Sequence, residues 1–255
     1  MRIYEFGHEL EDSMAPYLAV DRSAPKHECW VTGHMVAGLD GTAAIDGKVG
    51  ALSTGSDQTL FRQMRQIADV VLVGAETVRR EGYGLVRLSD EAQEQRERDG
   101  KPPTPPVAVV SGSLDLNWNL KLFTEAPEHA PTMVITSASA DPDRLAEAKR
   151  HATVIIVGQD RVEPEHVLRE FASRGYGVVL CEGGPTLLGE FVAADRLDEL
   201  CLSIAPIFGG DNLPVGLTPD GAGISSFELK SVLGEDDTLF LRYESARQKR
   251  AHDDE

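Results

Sequence analysis

The chain has 255 residues, 41% of them apolar and 26% charged, enough for one large domain or two small ones around a sizeable core. A formal net charge of −17 repels phosphate backbones and argues against general nucleic-acid binding, although acidity of this kind also serves solubility alone. No apolar run approaches the roughly 20 residues that cross a bilayer. The opening MRIYEFGHELEDS has no basic start followed by an apolar block, so the expected compartment is the cytoplasm. Cys29, Cys181 and Cys201 form no CxxC pair and leave an odd count, which argues against a disulfide framework or a zinc site.

Along the chain, residues 1–28 read as a polar N-terminal extension, and Cys29–Val36 as a buried strand. In Asp57–Ala68, Leu60, Phe61, Met64 and Ile67 recur at helical spacing. Asp69–Val73 is a short β-branched strand ending at Gly74, with a short helix starting near Thr77. Ser89–Pro106, charged and ending in four prolines, reads as a surface excursion with a helical beginning. Strands then resume at Val107–Val110, Met133–Thr136 and Val154–Val157. Asp141 caps a helix that begins with Pro142, and a further helix spans Pro164–Arg174. Val178–Cys181 is a strand, Pro185–Ala194 a helix and Glu199–Ala205 a strand. A Gly/Pro-rich loop follows, then strands near Phe227–Val232 and Thr238–Tyr243 joined by the turn Gly234–Asp237. The tail 245–255 is polar and expected to be disordered. Strands alternating with helices specify a mainly parallel sheet covered on both faces, closed by an antiparallel C-terminal hairpin.

In such a sheet, ligands bind beyond the carboxyl ends of the strands. Two strand ends have suitable chemistry. Cys181 leads into Glu182-Gly183-Gly184-Pro185-Thr186, where glycines admit close backbone approach and the free N–H groups of the next helix can hold phosphate. The same residues also serve as nothing more than a tight strand-to-helix turn. Val73 leads into Gly74-Ala75-Glu76-Thr77-Val78-Arg79, which reads equally as an ordinary helix cap with solvated arginines. Neither segment matches GxGxxG or GxxxxGK[ST]. Asp40-Gly41 follows the first strand and is either a carboxylate at a strand end or a turn. Arg65 and Arg87 suit bidentate phosphate recognition, or are surface charges. His34, inside an apolar strand, reads as a satisfied core or cleft histidine. His8, His27, His129, His151, His166 and His252 have no ligand spacing, and GxSxG and HExxH are missing, so no metal is expected.

Asp40-Gly41 with Lys48, DVVLVGAETVRREGYGLVR (69–87) and VVLCEGGPTLLGEFVAADRLDELCLSIAPIFGG (178–210) together resemble the riboflavin-biosynthesis reductase family. The similarity extends from about Trp30 to Tyr243 and is nearest the stand-alone pyrimidine reductase branch. It implies a dihydrofolate-reductase-like α/β fold over 29–244. The implied reaction is reduction of 5-amino-6-(5-phosphoribosylamino)uracil by NADPH to the ribitylamino product, by a homodimer. It also implies roles. Gly74, Thr77 and Glu81 face NADPH; Gly183, Gly184, Pro185, Thr186 and Leu187 bind its phosphates or nicotinamide side; Ser111 meets its adenosine half. Thr54 and Asp57 fall in the cofactor loop, and Ser53 beside them on the substrate side. Arg65 and Arg87 match arginines that hold the ribose phosphate, and Glu182 matches the acid that contacts the pyrimidine. Asp40 is the candidate proton-handling or substrate-orienting carboxylate, with burial beside the strand expected to raise its pKa.

The chain departs from the family at Arg80-Glu81 and at Gly82-Tyr83-Gly84, which stands in place of Asn-Pro beside the substrate. His27-Glu28-Cys29 does not reproduce the deaminase signature, so deamination is expected elsewhere. Two rivals remain on the same fold: reduction of dihydrofolate, and a non-catalytic NADPH-binding regulatory module.

Overall fold

The computed structural model describes residues 15–24 and 28–246; the remainder of the N-terminal extension, His27 and the tail beyond Ala246 lie outside them. In chain order the elements are α1 (Ala15–Leu18), β1 (Trp30–Ala37), α2 (Gly55–Ile67), β2 (Val70–Gly74), α3 (Ala75–Glu81) and α4 (Asp90–Arg98). Next come β3 (Val107–Val110), α5 (Lys121–Thr124), β4 (Met133–Thr136), α6 (Pro142–His151), β5 (Thr153–Ile156) and α7 (Pro164–Ser173). The last are β6 (Val178–Cys181), α8 (Pro185–Ala193), β7 (Glu199–Ile204), β8 (Phe227–Glu235) and β9 (Thr238–Ser245). Nine strands form one sheet in the order β5-β4-β3-β2-β6-β1-β7-β9-β8. The first seven in that order are parallel, and β9 and β8 are antiparallel. This is the α/β architecture expected from the alternation of elements.

Period-two alternation within the central strands divides the core into two layers. Val71 and Val73 face the side covered by Leu60 and Met64 of α2 and Val78 of α3. Val70 and Leu72 face the other side, against Val167 and Phe171 of α7 and Leu188 and Phe191 of α8. The central strands are buried on both faces, which explains why they read as continuous apolar runs. The closing turn is shorter than expected: Gly234 and Glu235 pair with Leu239 and Thr238. Only Asp236 and Asp237 turn, at φ 51° and 57°, the positive values that a two-residue hairpin requires.

The segment before residue 28 packs against the domain expected to begin after it. Tyr17 and Arg22 are buried in the domain, and Arg22 binds both carboxylate oxygens of Glu199 at 2.7 and 2.8 Å. Glu199 also accepts from Trp30 and Thr32 on β1, so the segment before β1 completes a buried polar cluster at the sheet. Likewise Ser245 belongs to β9, its N–H bonded to the Asp198 carbonyl. The excursion after Ser89 does begin as a helix, capped by the Ser89 hydroxyl. Its Arg96 is 1% exposed and donates to the carbonyls of Gln66, Ala68 and Pro102, tying the excursion to the end of α2.

Candidate active site

The C-terminal ends of β1, β2, β3 and β6 open onto a cavity of about 790 Å³. The two strand ends that looked separately competent for phosphate form one construction here. Gly74 N–H donates to Gly183 O at 2.7 Å, and Glu182 N–H to Leu72 O at 2.9 Å, locking the β2–α3 and β6–α8 turns together. Glycine is required at this contact. A Cβ on Gly184 would lie 2.9 Å from Thr77 Oγ1, and one on Gly183, whose φ is +80°, would lie 2.9 Å from Met35 Sδ. Helix α8 therefore starts at the cavity wall with Pro185 at its N-terminus, and its leading N–H groups have no intrahelical acceptor.

One wall is a buried ion pair. Arg65 on α2 donates from Nε to Glu182 Oε1 at 2.7 Å and from Nη2 to Oε2 at 2.8 Å. Nη2 also donates to the Tyr83 hydroxyl at 2.8 Å, and that hydroxyl donates to Glu182. The guanidinium carbon lies 4.3 Å from the Phe61 ring centroid. Burial works against the Arg65 charge, but the Glu182 carboxylate more than offsets it and holds the guanidinium above its ordinary pKa. Burial, and then the Glu182 charge, push the Tyr83 phenol well above its ordinary value. The three bonds occupy Nε and Nη2 of Arg65, leaving Nη1 to offer donors to a ligand.

His34 on β1 also lines the cavity. It is 5% exposed, its Nε2 is buried without a hydrogen-bond partner among the described residues, and its ring lies 5.6 Å from that of Phe61. Burial depresses its pKa, and Arg65 does so too, while Asp57 and Glu182 act in the opposite sense. Asp57 accepts from the Ser53 hydroxyl through Oδ2 and leaves Oδ1 buried and unpaired.

The family model of the RibD C-terminal domain matches residues 29–238. The chain belongs to this family. It is 29% identical over 180 residues to the 2,5-diamino-6-ribosylamino-4(3H)-pyrimidinone 5′-phosphate reductase of Archaeoglobus fulgidus, covering 68% of this chain and 81% of that one. It is 31% identical to the protein of the same name from Methanothermobacter thermautotrophicus, over 80% of this chain and 95% of that one. A pyrimidine reductase-like protein from Corynebacterium diphtheriae superposes with a TM-score of 0.82 at 23% identity, covering 92% of this chain and 98% of that one. At that identity the likeness shows a shared fold.

Within this RibD C-terminal domain, most residues expected at the site do line the cavity. Gly74, Thr77, Glu81 and Ser111 lie along it with Gly184, Pro185, Thr186 and Leu187, and Ser53, Asp57, Arg65 and Glu182 line the rest. Several of them carry structural duties as well. Glu81 accepts from Val49 N–H at 2.8 Å, and Ser111 Oγ from Leu114 N–H at 3.0 Å. Gly183 is not a lining residue; it sits behind Gly184 against Met35.

Three of the expected residues lie away from the cavity wall. Thr54 is not on the cavity wall; its hydroxyl caps α2 by accepting from Asp57 N–H. Arg87 is exposed and outside the lining, so it is not placed with Arg65 as a second phosphate clamp. Asp40 is exposed rather than buried, and lies outside the lining as well. Its carboxylate accepts from Gly209 N–H at 2.9 Å and Thr42 N–H at 3.2 Å, which makes it the link between two loops. Conversely, Phe61 and Arg161 line the cavity without having been expected there, and His34 and Tyr83, to which no site role was assigned, line it too. Tyr83 had a signal, since it stands where the family resemblance broke; His34 had only its position in an apolar strand.

Proposed function

We propose that the protein reduces the ribosylamino group of a phosphorylated ribosylaminopyrimidine to a ribitylamino group, with NADPH as hydride source. The substrate is 5-amino-6-(5-phosphoribosylamino)uracil or its 2,5-diaminopyrimidinone counterpart, for which the archaeal relatives are named. The chain is an oxidoreductase of the pyrimidine-reductase type. The observation that carries this reading is the cavity itself. Two glycine-bearing strand-to-helix turns and the Arg65–Glu182–Tyr83 cluster share one space of about 790 Å³.

The cavity wall fits a dinucleotide. Gly184 has no Cβ where one would press on Thr77, so a phosphate can approach the amides of Thr186 and Leu187 at the start of α8. Gly74 and Thr77 border the same wall, and Ser111, Ser113 and Arg161 lie along it with polar groups suited to the adenosine end. Bound there, the dihydronicotinamide supplies a hydride. Arg65 Nη1 offers charge-assisted donors to substrate oxygens, while Glu182 and Tyr83 hold that guanidinium in one orientation. Ser53 and Asp57 offer a hydroxyl and a free carboxylate oxygen on the same side. Positioning of this kind provides much of the acceleration in a hydride transfer.

Cytoplasmic work as a homodimer belongs to the same proposal. Cys29, Cys181 and Cys201 are buried and free, the state a reducing compartment maintains. Phe208 and Ile224 are 79% and 100% exposed, and β8 is an outer edge of the sheet, so apolar and strand surfaces are available for a second copy. The test is steady-state oxidation of NADPH and of NADH against both pyrimidine phosphates and dihydrofolate. Turnover of a pyrimidine phosphate, with NADPH preferred, is the expected result. Turnover of dihydrofolate alone, or NADPH binding without hydride transfer, rejects the proposal, and a monomer in sedimentation rejects the dimer.

A further inference from the structure

A reduction of this kind needs a proton as well as a hydride, and the expected donor, Asp40, lies outside the cavity. The polar groups that do line the cavity are nearly all committed. Both oxygens of Glu182 are taken by Arg65 and Tyr83. The Tyr83 proton is directed to Glu182, and the Ser53 proton to Asp57. Glu76 is bound by Arg79 and Arg80, and Glu81 receives the Val49 amide. Arg65, held above its ordinary pKa, does not release a proton.

We propose that His34, as its imidazolium, is the acid that protonates the substrate nitrogen during the reduction; this rests on the reductase reading above. Three observations of position support it. His34 lies in β1 next to Met35, which packs on Gly183 behind the cofactor wall. It lines the cavity that also holds Arg65 and Glu182. Its Nε2 is buried with no partner among the described residues, and a buried ring nitrogen without a protein partner is a place for a ligand to complete a bond. The charged groups around it come from α2, which contributes Asp57 and Arg65, and from the β6–α8 turn, which contributes Glu182. Its β7 neighbour in register is Cys201, whose thiol burial pushes well above its ordinary value.

The step balances as follows. The ribosyl ring opens to a C1′=N imine, and C1′ gains the hydride supplied by the reduced nicotinamide. The π pair moves to nitrogen, which takes the proton from the His34 imidazolium. A secondary amine, the oxidised nicotinamide and a neutral imidazole result, and His34 regains its proton from water. Burial favours the neutral ring in the free enzyme, which makes the protonated ring a ready acid. The carboxylates of Asp57 and Glu182, joined by the ligand phosphate, favour its protonation in the complex.

The test has two parts, neither dependent on the other. In the wild-type protein, kcat/KM should fall tenfold per pH unit above a pKa below the ordinary histidine value of about 6.5, with the kcat limb lying higher. In H34Q, kcat should fall roughly 10²–10⁴-fold, the alkaline limb should vanish and NADPH affinity should be unchanged. Binding of the ribitylamino phosphate product, followed calorimetrically in buffers of different ionisation heat, should take up fewer protons in H34Q than in wild type. A flat wild-type profile, or H34Q with wild-type kcat and the same limb, overturns the role of His34 while leaving the reductase reading intact. Absence of pyrimidine turnover in the wild type overturns both. If H34Q does not fold, the wild-type pH profile decides alone.

Discussion

Replacing Glu182 by Gln removes the negative half of a pair whose side chains are 11% (Arg65) and 1% (Glu182) exposed. The guanidinium stays charged and buried, and stranding one member of such a pair costs about 3–5 kcal/mol. The glutamine carbonyl restores one acceptor, worth about 0.5–1.5 kcal/mol. Its amide turns donors toward donors on the other side, because Arg65 presents N–H groups to both carboxylate oxygens. The expected loss is about 2–4 kcal/mol, or roughly 5–15 °C in Tm at this chain length. Urea unfolding followed by circular dichroism measures it, with an unchanged m-value as the sign that the unfolded state is not altered. The double variant R65M/E182L strands no charge, so it should be more stable than E182Q alone. In the assay, E182Q should lower turnover far more than NADPH affinity if, as proposed, the pair faces the substrate. A stability loss under about 1 kcal/mol, the range of an exposed pair, would falsify the account of this wall as buried. Equal losses of turnover and NADPH affinity would assign Glu182 to the other ligand.

Gly184→Val places a branched side chain where a Cβ alone meets Thr77 Oγ1 at 2.9 Å; the NADPH dissociation constant, read by fluorescence titration, should rise at least about tenfold, a loss of about 1.4 kcal/mol. Gly189→Ala gains helix propensity of about 1 kcal/mol, yet its Cβ would sit 1.9 Å from Leu217 O. A lower thermal midpoint is expected, and a higher one would show that the 216–218 loop yields freely. Arg22→Met should destabilise by about 3–5 kcal/mol, since the buried Glu199 loses a bidentate partner. Burial alone would raise the Glu199 pKa, but bonds from Arg22 and Thr32 and the charge of Arg242 lower it below the ordinary 4.5. Its stabilising contribution is therefore full above that value and lost as pH falls through the lower folded one. Acid unfolding should start at higher pH in the Arg22 variant, and an unshifted transition contradicts this.

Local chemistry made much of the fold legible. Val178–Cys181 is an apolar run, opening on two valines, between Gly177 and Glu182 and forms a strand over those residues, and Pro185 begins the following helix. Asp141 caps and Pro142 starts α6 because a cap depends on only three or four neighbouring residues. Partners that meet across the chain were not legible. Arg65 and Glu182 were both recognised, but as holders of different ligand groups; 117 residues separate them, and no local pattern declares that they bind each other. Arg22 and Glu199 lie 177 residues apart, so the opening segment read as an extension. The surroundings of Asp40 were not legible for the same reason. An Asp-Gly at a strand end has the same local appearance whether the loop folds over the cavity or, as here, toward Gly209.

On the proposed reading, the cavity wall has to bind phosphorylated ligands within an acidic protein. Its arginines, at 65, 79, 80 and 161, face five carboxylates, at 57, 76, 81, 182 and 190, so the wall has no positive excess to draw anions from a distance. Arg79 and Arg80 are already bound to Glu76 at 2.6 Å, and Arg65 to Glu182. Arg161 is less committed, its nearest carboxylates lying 3.6 and 3.8 Å away. Attraction must then come at short range, from amides and oriented guanidinium donors that act strongly only once water has been displaced. Short-range donors demand close approach, which the missing side chain at Gly184 favours. In the proposed function the glycine turns and the pre-paired arginines are thus two parts of one solution: the glycines would let a phosphate reach the amides, and Glu182 fixes the Arg65 guanidinium that would meet the substrate.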